Sequence, residues 1–294
     1  MNPRVGIVGV GAMGMGIAKA LLSSGFEVVA RDIVAAREDE AVAAGAKRAA
    51  SAADIAGEVD ICITVVVDAE QTREVVFGAQ GLASCASPNL VVMMCSTIAP
   101  SDTEAIARQL GAIPLVDAPI SGGPARAHAG TLSVMAAGAD AAIERCKPVL
   151  EAMAAKWFRI SDKAGDGSRM KVVNNMLAAT NLAAGCEAMA LAAKLGLDLS
   201  QVADVVNVSS GGSWMFADRM PRALAGDYAP RAAARVLRKD VSLFVSEAHA
   251  LGLEAPFAEA AQRVFIDTVE RGFGEEDDAA VLKRYAALWG FDPP

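Results

Sequence analysis

The chain has 294 residues, 53% of them hydrophobic and 21% charged, a balance that excludes a disordered protein and suits two ordered domains. Its net charge of −8 argues against nucleic acid or an anionic membrane as a partner, while leaving room for a local basic site. In chain order, Arg4–Val10 reads as a strand, Met13–Ser24 as a helix, Phe26–Ala30 as a strand and the stretch around Arg37–Ala44 as a helix. Further strands are expected at Ile61–Val67, Leu90–Cys95, Leu115–Asp117 and Leu132–Ala137. Alternating β and α elements imply a doubly wound parallel sheet.

The pattern changes near residue 163. Gly165–Lys194 reads as one long helix, with Gly196 as its C-cap. Helical stretches follow at Ser200–Val208, Ala232–Leu251, Ala255–Arg271 and Ala279–Leu288. The expected organisation is therefore an α/β domain over residues 1–162 and an all-α domain over 163–294. No low-complexity linker separates them, so the long helix itself is expected to join them.

Five dispersed cysteines, two histidines and no CxxC pair give little support for a zinc site or a disulfide framework. Buried reduced thiols are the simpler reading. No charged-then-apolar leader precedes Val5, and the runs Ile61–Val67 and Leu90–Cys95 are too short to span a bilayer. The expected location is cytoplasmic.

Gly9-Val10-Gly11-Ala12-Met13-Gly14 fits GxGxxG, a weak signal alone. Here it follows a strand and opens a helix, the context a Rossmann dinucleotide site requires. Gly9 permits the tight turn, Gly11 lets a pyrophosphate approach the backbone, and Gly14 lets helix and strand pack closely. The helix start offers unpaired N–H groups to the phosphates. Asp32, just after the second strand, can accept hydrogen bonds from ribose hydroxyls and would repel a 2′-phosphate. NAD is therefore expected over NADP, although Arg31 could attract that phosphate. A solvated loop aspartate is the plainer alternative for Asp32.

An acid/base group is harder to find. No Tyr-x-x-x-Lys pair exists, since Ala232 lies four residues after Tyr228 and Trp289 four after Tyr285. His128 and His249 read better as structural or solvated groups. Lys171 remains, in Gly165-Asp166-Gly167-Ser168-Arg169-Met170-Lys171-Val172-Val173-Asn174-Asn175. Lys171 and Asn175, four apart, share a helix face. Apolar neighbours would desolvate the amine, and desolvation makes a neutral lysine available as a base. A surface lysine beside capping glycines explains the same residues equally well.

On these motifs the sequence resembles the β-hydroxyacid dehydrogenase family, which includes 3-hydroxyisobutyrate, tartronate semialdehyde and 6-phosphogluconate enzymes. The resemblance covers essentially the whole chain. It rests on the Gly9–Gly14 turn, on Asp117-Ala118-Pro119-Ile120-Ser121-Gly122-Gly123, on Gly165–Asn175 and on Lys239-Asp240. It implies a hydride transfer between NAD and a small hydroxy acid, L-threonate or a 3-hydroxyisobutyrate-like acid, with Lys171 as catalytic acid/base and no metal. It further implies that Asn175 orients the reacting oxygen and that Ser121, Gly122, Gly123 and Asn174 bind substrate. Val66, Val67, Gln71, Thr97 and Lys239 fall on the cofactor side. Backbone N–H groups around Ser121–Gly123 would form a nest for a carboxylate. Without the resemblance that segment is a glycine turn.

The resemblance also implies a homodimer or homotetramer, with the second domain serving substrate and dimerisation. Ser213-Trp214-Met215-Phe216, Arg219, Asp227-Tyr228 and Glu276-Asp277-Asp278 resemble the branch that oxidises L-threonate. Core aromatics and a solvated acidic run are the alternatives there. The competing functions are an NADP-type reductase of tartronate semialdehyde, succinic semialdehyde or glyoxylate, an imine reductase, and a non-catalytic NAD-binding protein. The lysine disfavours the last two.

Overall fold

A computed structural model describes residues 2–292. The chain divides into two compact units, one ending at Lys171 and the other beginning at Val172.

In the first unit, β1 (Val5–Val8), α1 (Ala12–Ser23), β2 (Val28–Arg31), α2 (Ala35–Ala43) and β3 (Lys47–Arg48) come first. They are followed by α3 (Ala52–Glu58), β4 (Ile61–Thr64), α4 (Ala69–Phe77), β5 (Val91–Met94), α5 (Pro100–Leu110) and β6 (Leu115–Asp117). Then come β7 (Ile120–Ser121), α6 (Gly123–His128), β8 (Leu132–Ala137), α7 (Asp140–Met153) and β9 (Ala154–Ser161). The strand order is β3-β2-β1-β4-β5-β6-β8-β7, with β9 on β8. From β3 to β6 all pairs are parallel, which is the doubly wound sheet expected from the β/α alternation.

Beyond β6 the sheet is mixed rather than purely parallel. Strand β8 runs antiparallel to both β6 and β7, and β9 is parallel to β8. The sequence reading missed β9 because most of its side chains are exposed or half-exposed, so it carries no apolar run. Side chains of the central strands alternate between two cores. Ile61 and Ile63 join α1 and α7 on one face, while Cys62 joins α3 and α5 on the other.

Helix α8 (Asp166–Lys194) starts in the first unit and continues into the second. The two units meet inside α8, whose start is bonded to Asp117 of the first unit. Gly196 (φ +73°) closes the helix as expected, its N–H donating to the Ala193 carbonyl and that of Leu197 to Ala192. By length and composition this one described helix could cross a membrane, and 39% of its apolar window is buried inside the protein.

The second unit continues with α9 (Leu199–Asn207), α10 (Trp214–Leu224), α11 (Ala234–Ala250), α12 (Pro256–Thr268) and α13 (Val281–Trp289). Its core gathers Leu182, Met189, Phe216, Val241, Phe265 and Leu282. Helix α10 was not legible in the sequence, where Arg219, Pro221 and Arg222 mask its apolar face. The Ser213 hydroxyl caps it, accepting from Phe216 N–H at 3.1 Å.

Candidate active site

In the first unit the cofactor-side candidates lie at or just beyond the carboxyl ends of the parallel strands. The order reverses between β1 and β4, and such a switch point is where open α/β sheets bind ligands. The Gly9–Gly14 turn leaves β1 there. Gly9 has φ +92°, and a Cβ on it would strike the Val65 carbonyl. A Cβ on Gly14 would strike the Gly9 carbonyl oxygen, so both glycines are steric necessities. Helix α1 has Gly11 at its N-cap and no side-chain cap, which leaves its first N–H groups for a ligand. Exposed Arg37 stands on the open side of Gly11.

Asp32 is buried, and its carboxylate accepts from Val10 N–H at 2.8 Å and from Val34 N–H at 2.9 Å. Each oxygen keeps a second lone pair for a hydroxyl. Arg31 is bound to Glu38 and to the Asp32 carbonyl, so its charge is already matched. Burial works against ionisation of Glu38, but hydrogen bonds from Asp32 N–H and Arg31, with Arg48 nearby, outweigh it and hold its carboxyl below the usual range. Val66, Val67, Gln71 and Thr97 follow β4 and β5. Val66 N–H donates to Ser96 Oγ at 3.0 Å, and Val67 N–H to Gln71 Oε1 at 3.1 Å, which fixes that loop.

Strand β7 hands the chain to the glycine segment. Ser121 pairs with Ser133 on β8, and Gly122 and Gly123 then take φ of +134° and +74°. Nothing stands within 4 Å of a Cβ placed on Gly123, so the concave backbone faces open space. The half-buried Arg126 side chain lies against Gly122, 3.0 Å from the position of such a Cβ. Sequence reasoning missed this cation because helix α6 is too short to show a periodicity.

It also gave no role to Asp117. This fully buried carboxylate accepts from Gly165 N–H at 2.9 Å, from Ser168 N–H at 2.8 Å and from Ser168 Oγ at 2.9 Å. Ser168 Oγ is also 2.9 Å from Thr103 Oγ1. These bonds set the start of α8, on which Lys171 is 6% exposed.

In the second unit Asn175 is buried, and its Nδ2 donates to Asp240 Oδ2 at 2.6 Å. Asn174 Nδ2 donates to Asn175 Oδ1 at 3.0 Å. Lys239 is paired with Asp240 Oδ1 at 2.7 Å. Asp240 thus orients the Asn175 amide, a link invisible in a sequence where the two lie far apart. The acidic run at Glu276–Asp278 is not a solvated surface. Asp277 and Asp278 are buried, with Arg219 Nε 2.6 Å from Asp278 Oδ1 and Arg222 Nη1 3.0 Å from Asp277 Oδ2. Among the described residues no cluster of three or more His, Cys, Asp or Glu side chains could hold a metal.

A strand, a glycine turn and an uncapped helix at a sheet's switch point are how nicotinamide dinucleotides are held, so the class is a dinucleotide-dependent oxidoreductase. Known proteins narrow this. Residues 4–161 match the NAD-binding domain of 6-phosphogluconate dehydrogenase. Residues 165–285 match the NAD-binding family of NADP-dependent 3-hydroxyisobutyrate dehydrogenase. The chain is similar to L-threonate dehydrogenase of Escherichia coli K12, at 41% identity over 97% of this chain and 95% of that protein. It is similar to NAD-dependent L-serine dehydrogenase of Pseudomonas aeruginosa, at 32% identity over 98% and 99%. The crystal structure of 3-hydroxyisobutyrate dehydrogenase from Salmonella typhimurium superposes with a TM-score of 0.90, at 43% identity over 96% of this chain and 99% of that one. The chain belongs to the β-hydroxyacid dehydrogenase family and is a hydroxyacid dehydrogenase with a nicotinamide cofactor.

Proposed function

We propose that the enzyme oxidises L-threonate with NAD, using Lys171 as acid/base. The observation that carries the mechanism is the buried Lys171 on a helix start bonded to the residue that leads into the glycine nest. The substrate choice is supported by the L-threonate dehydrogenases among the relatives, at 41% identity over 97% of this chain.

The substrate carboxylate docks on the Ser121 hydroxyl and the N–H groups of Gly122 and Gly123, with Arg126 as a counter-charge and Asn174 beside it. Lys171 removes the hydroxyl proton, and Asn175 orients the reacting oxygen. The bound nicotinamide supplies the hydride acceptor. In the reverse direction the Lys171 ammonium polarises the carbonyl and returns the proton. Gly9, Val10, Gly11, Ala12, Met13 and Gly14 take the pyrophosphate and Asp32 the ribose. Val66, Val67, Gln71, Thr97 and Lys239 complete the cofactor side. The Asp32 and Glu38 carboxylates, with Arg31 already paired, support NAD over NADP.

A homodimer or homotetramer is supported by exposed Val173, Leu177 and Leu191 along one side of α8. Light scattering on the purified protein tests this. A cytoplasmic location is supported by the five free cysteines.

The experiment is a turnover screen followed by the absorbance of the reduced nicotinamide. L-threonate, D-glycerate, 3-hydroxyisobutyrate, L-serine and 4-hydroxybutyrate are each offered with NAD and NADP. The highest kcat/KM is expected for L-threonate with NAD. A higher value for another acid, or for NADP, overturns the corresponding half of the proposal.

A further inference from the structure

We propose that Asp117 is a positioning residue whose carboxylate sets Lys171 in register with the Ser121–Gly123 nest. The inference rests on the mechanism proposed above. Asp117 ends β6, and the nest begins four residues later. Its two oxygens hold Gly165 and Ser168, and Lys171 follows Ser168 by three positions, on the same side of α8. The approach is close: a Cβ on Gly167 would stand 2.6 Å from the carbonyl oxygens of both Asp117 and Met135. Nest and lysine therefore hang from one buried side chain, all within the first unit.

The carboxylate form matters. It accepts three hydrogen bonds, whereas an amide or a protonated acid turns one of its two polar atoms into a donor. Burial pushes the Asp117 carboxyl up to about 6, and the anion of Asp166 adds to this, against the hydrogen bonds from Ser168 and Gly165. Asp166 and Cys95 face it. Asp166 on α8 is held below the usual range by hydrogen bonds from Ser161 and Arg169 and stays ionised. Cys95, after β5, is pushed up by burial and stays neutral. Acidification through about pH 6 thus protonates Asp117 and frees part of the helix start.

The sign for stability is opposite to that for activity. A pKa raised in the fold means that the native state takes up this proton before the unfolded chain does. This group's contribution to stability therefore rises as pH falls from about 6 toward the ordinary carboxylate value of 3.8. A purely structural role predicts an acid limb that tracks unfolding. A positioning role predicts loss of turnover in protein that remains folded.

The test compares wild type, Asp117→Asn and Ser168→Ala by kcat, NADH affinity, thermal midpoint, pH profile and hydrogen exchange at the Ser168 amide. For wild type, log(kcat/KM) is expected to fall more steeply below about pH 6, where Asp117 takes up its proton, than it does in Asp117→Asn. Asp117→Asn should bind NADH normally, lose about 10²-fold in kcat, as a misplacement of about 1 Å does, and lack the added steepness below about pH 6. Ser168→Ala retains both backbone donors, so it should lose kcat less and keep the steep limb. Wild-type kcat in either variant, or an unchanged limb in Asp117→Asn, overturns the proposal. If Asp117→Asn does not fold, the kcat of Ser168→Ala decides. If the wild type turns over none of the acids, the mechanism fails. Exchange at Ser168 then decides the clamp separately: unchanged protection in Asp117→Asn or Ser168→Ala rejects it.

Discussion

The two units bury charge in different ways. In the first, Asp32 and Asp117 are bonded mainly to backbone N–H groups and a serine hydroxyl, at the ends of strands that lead into candidate ligand sites. In the second, Arg219, Asp277 and Asp278 are bonded to one another and to neighbouring arginines, under α10 and the turn before α13. Burial works against the charge on Arg219, but Asp278, Asp277 and Asp218 outweigh it and hold its pKa above the usual arginine value. A buried charge alone therefore does not mark chemistry. In the first unit the buried carboxylates organise backbone, whereas in the second the buried ions satisfy each other.

The sharpest break of this contrast is Lys171→Ala. It should cut kcat by about 10²–10⁴ while leaving NADH binding intact, as measured by fluorescence titration. Near wild-type turnover would remove the lysine from the mechanism. Arg219→Met tests the opposite kind of charge. Leaving Asp278 buried and unpaired should cost about 3–5 kcal/mol in urea unfolding, with kcat per folded molecule unchanged. A loss of kcat without loss of stability would move this cluster into the active site.

Much of the first unit was legible because its signals are local. The glycine turn and the apolar strand runs each lie within a dozen or so residues. What was not legible depends on distant pairs. Asp117 with Ser168, Asn175 with Asp240 and Arg219 with Asp278 meet only through the tertiary fold. Strand β9 was hidden for another reason, as an exposed edge has no buried face to write into its sequence. The acidic run misled because charges that pair inside a core look, in sequence, like charges facing water.

Smaller effects refine the first unit. Ser121→Ala removes one hydrogen bond to a charged group, worth about 1.5–3 kcal/mol, and should raise KM for the acid without changing NADH affinity. Gly123→Val should be worse through backbone strain at φ +74°, since the space around it is open. Asp32→Ala should narrow the NAD preference in kcat/KM by on the order of ten-fold. It should also weaken both cofactors, because Val10 and Val34 lose their acceptor. A variant as selective as wild type would take Asp32 out of the ribose site.

The most direct measurement compares L-threonate with its uncharged amide in the presence of NAD, using the same protein and the same reduced-nicotinamide readout. The acid should be turned over and the amide should show a kcat/KM lower by at least about ten-fold if, as proposed, the nest at Ser121–Gly123 and Arg126 binds the substrate carboxylate. Equal turnover of acid and amide would contradict the carboxylate nest and reduce that segment to a turn.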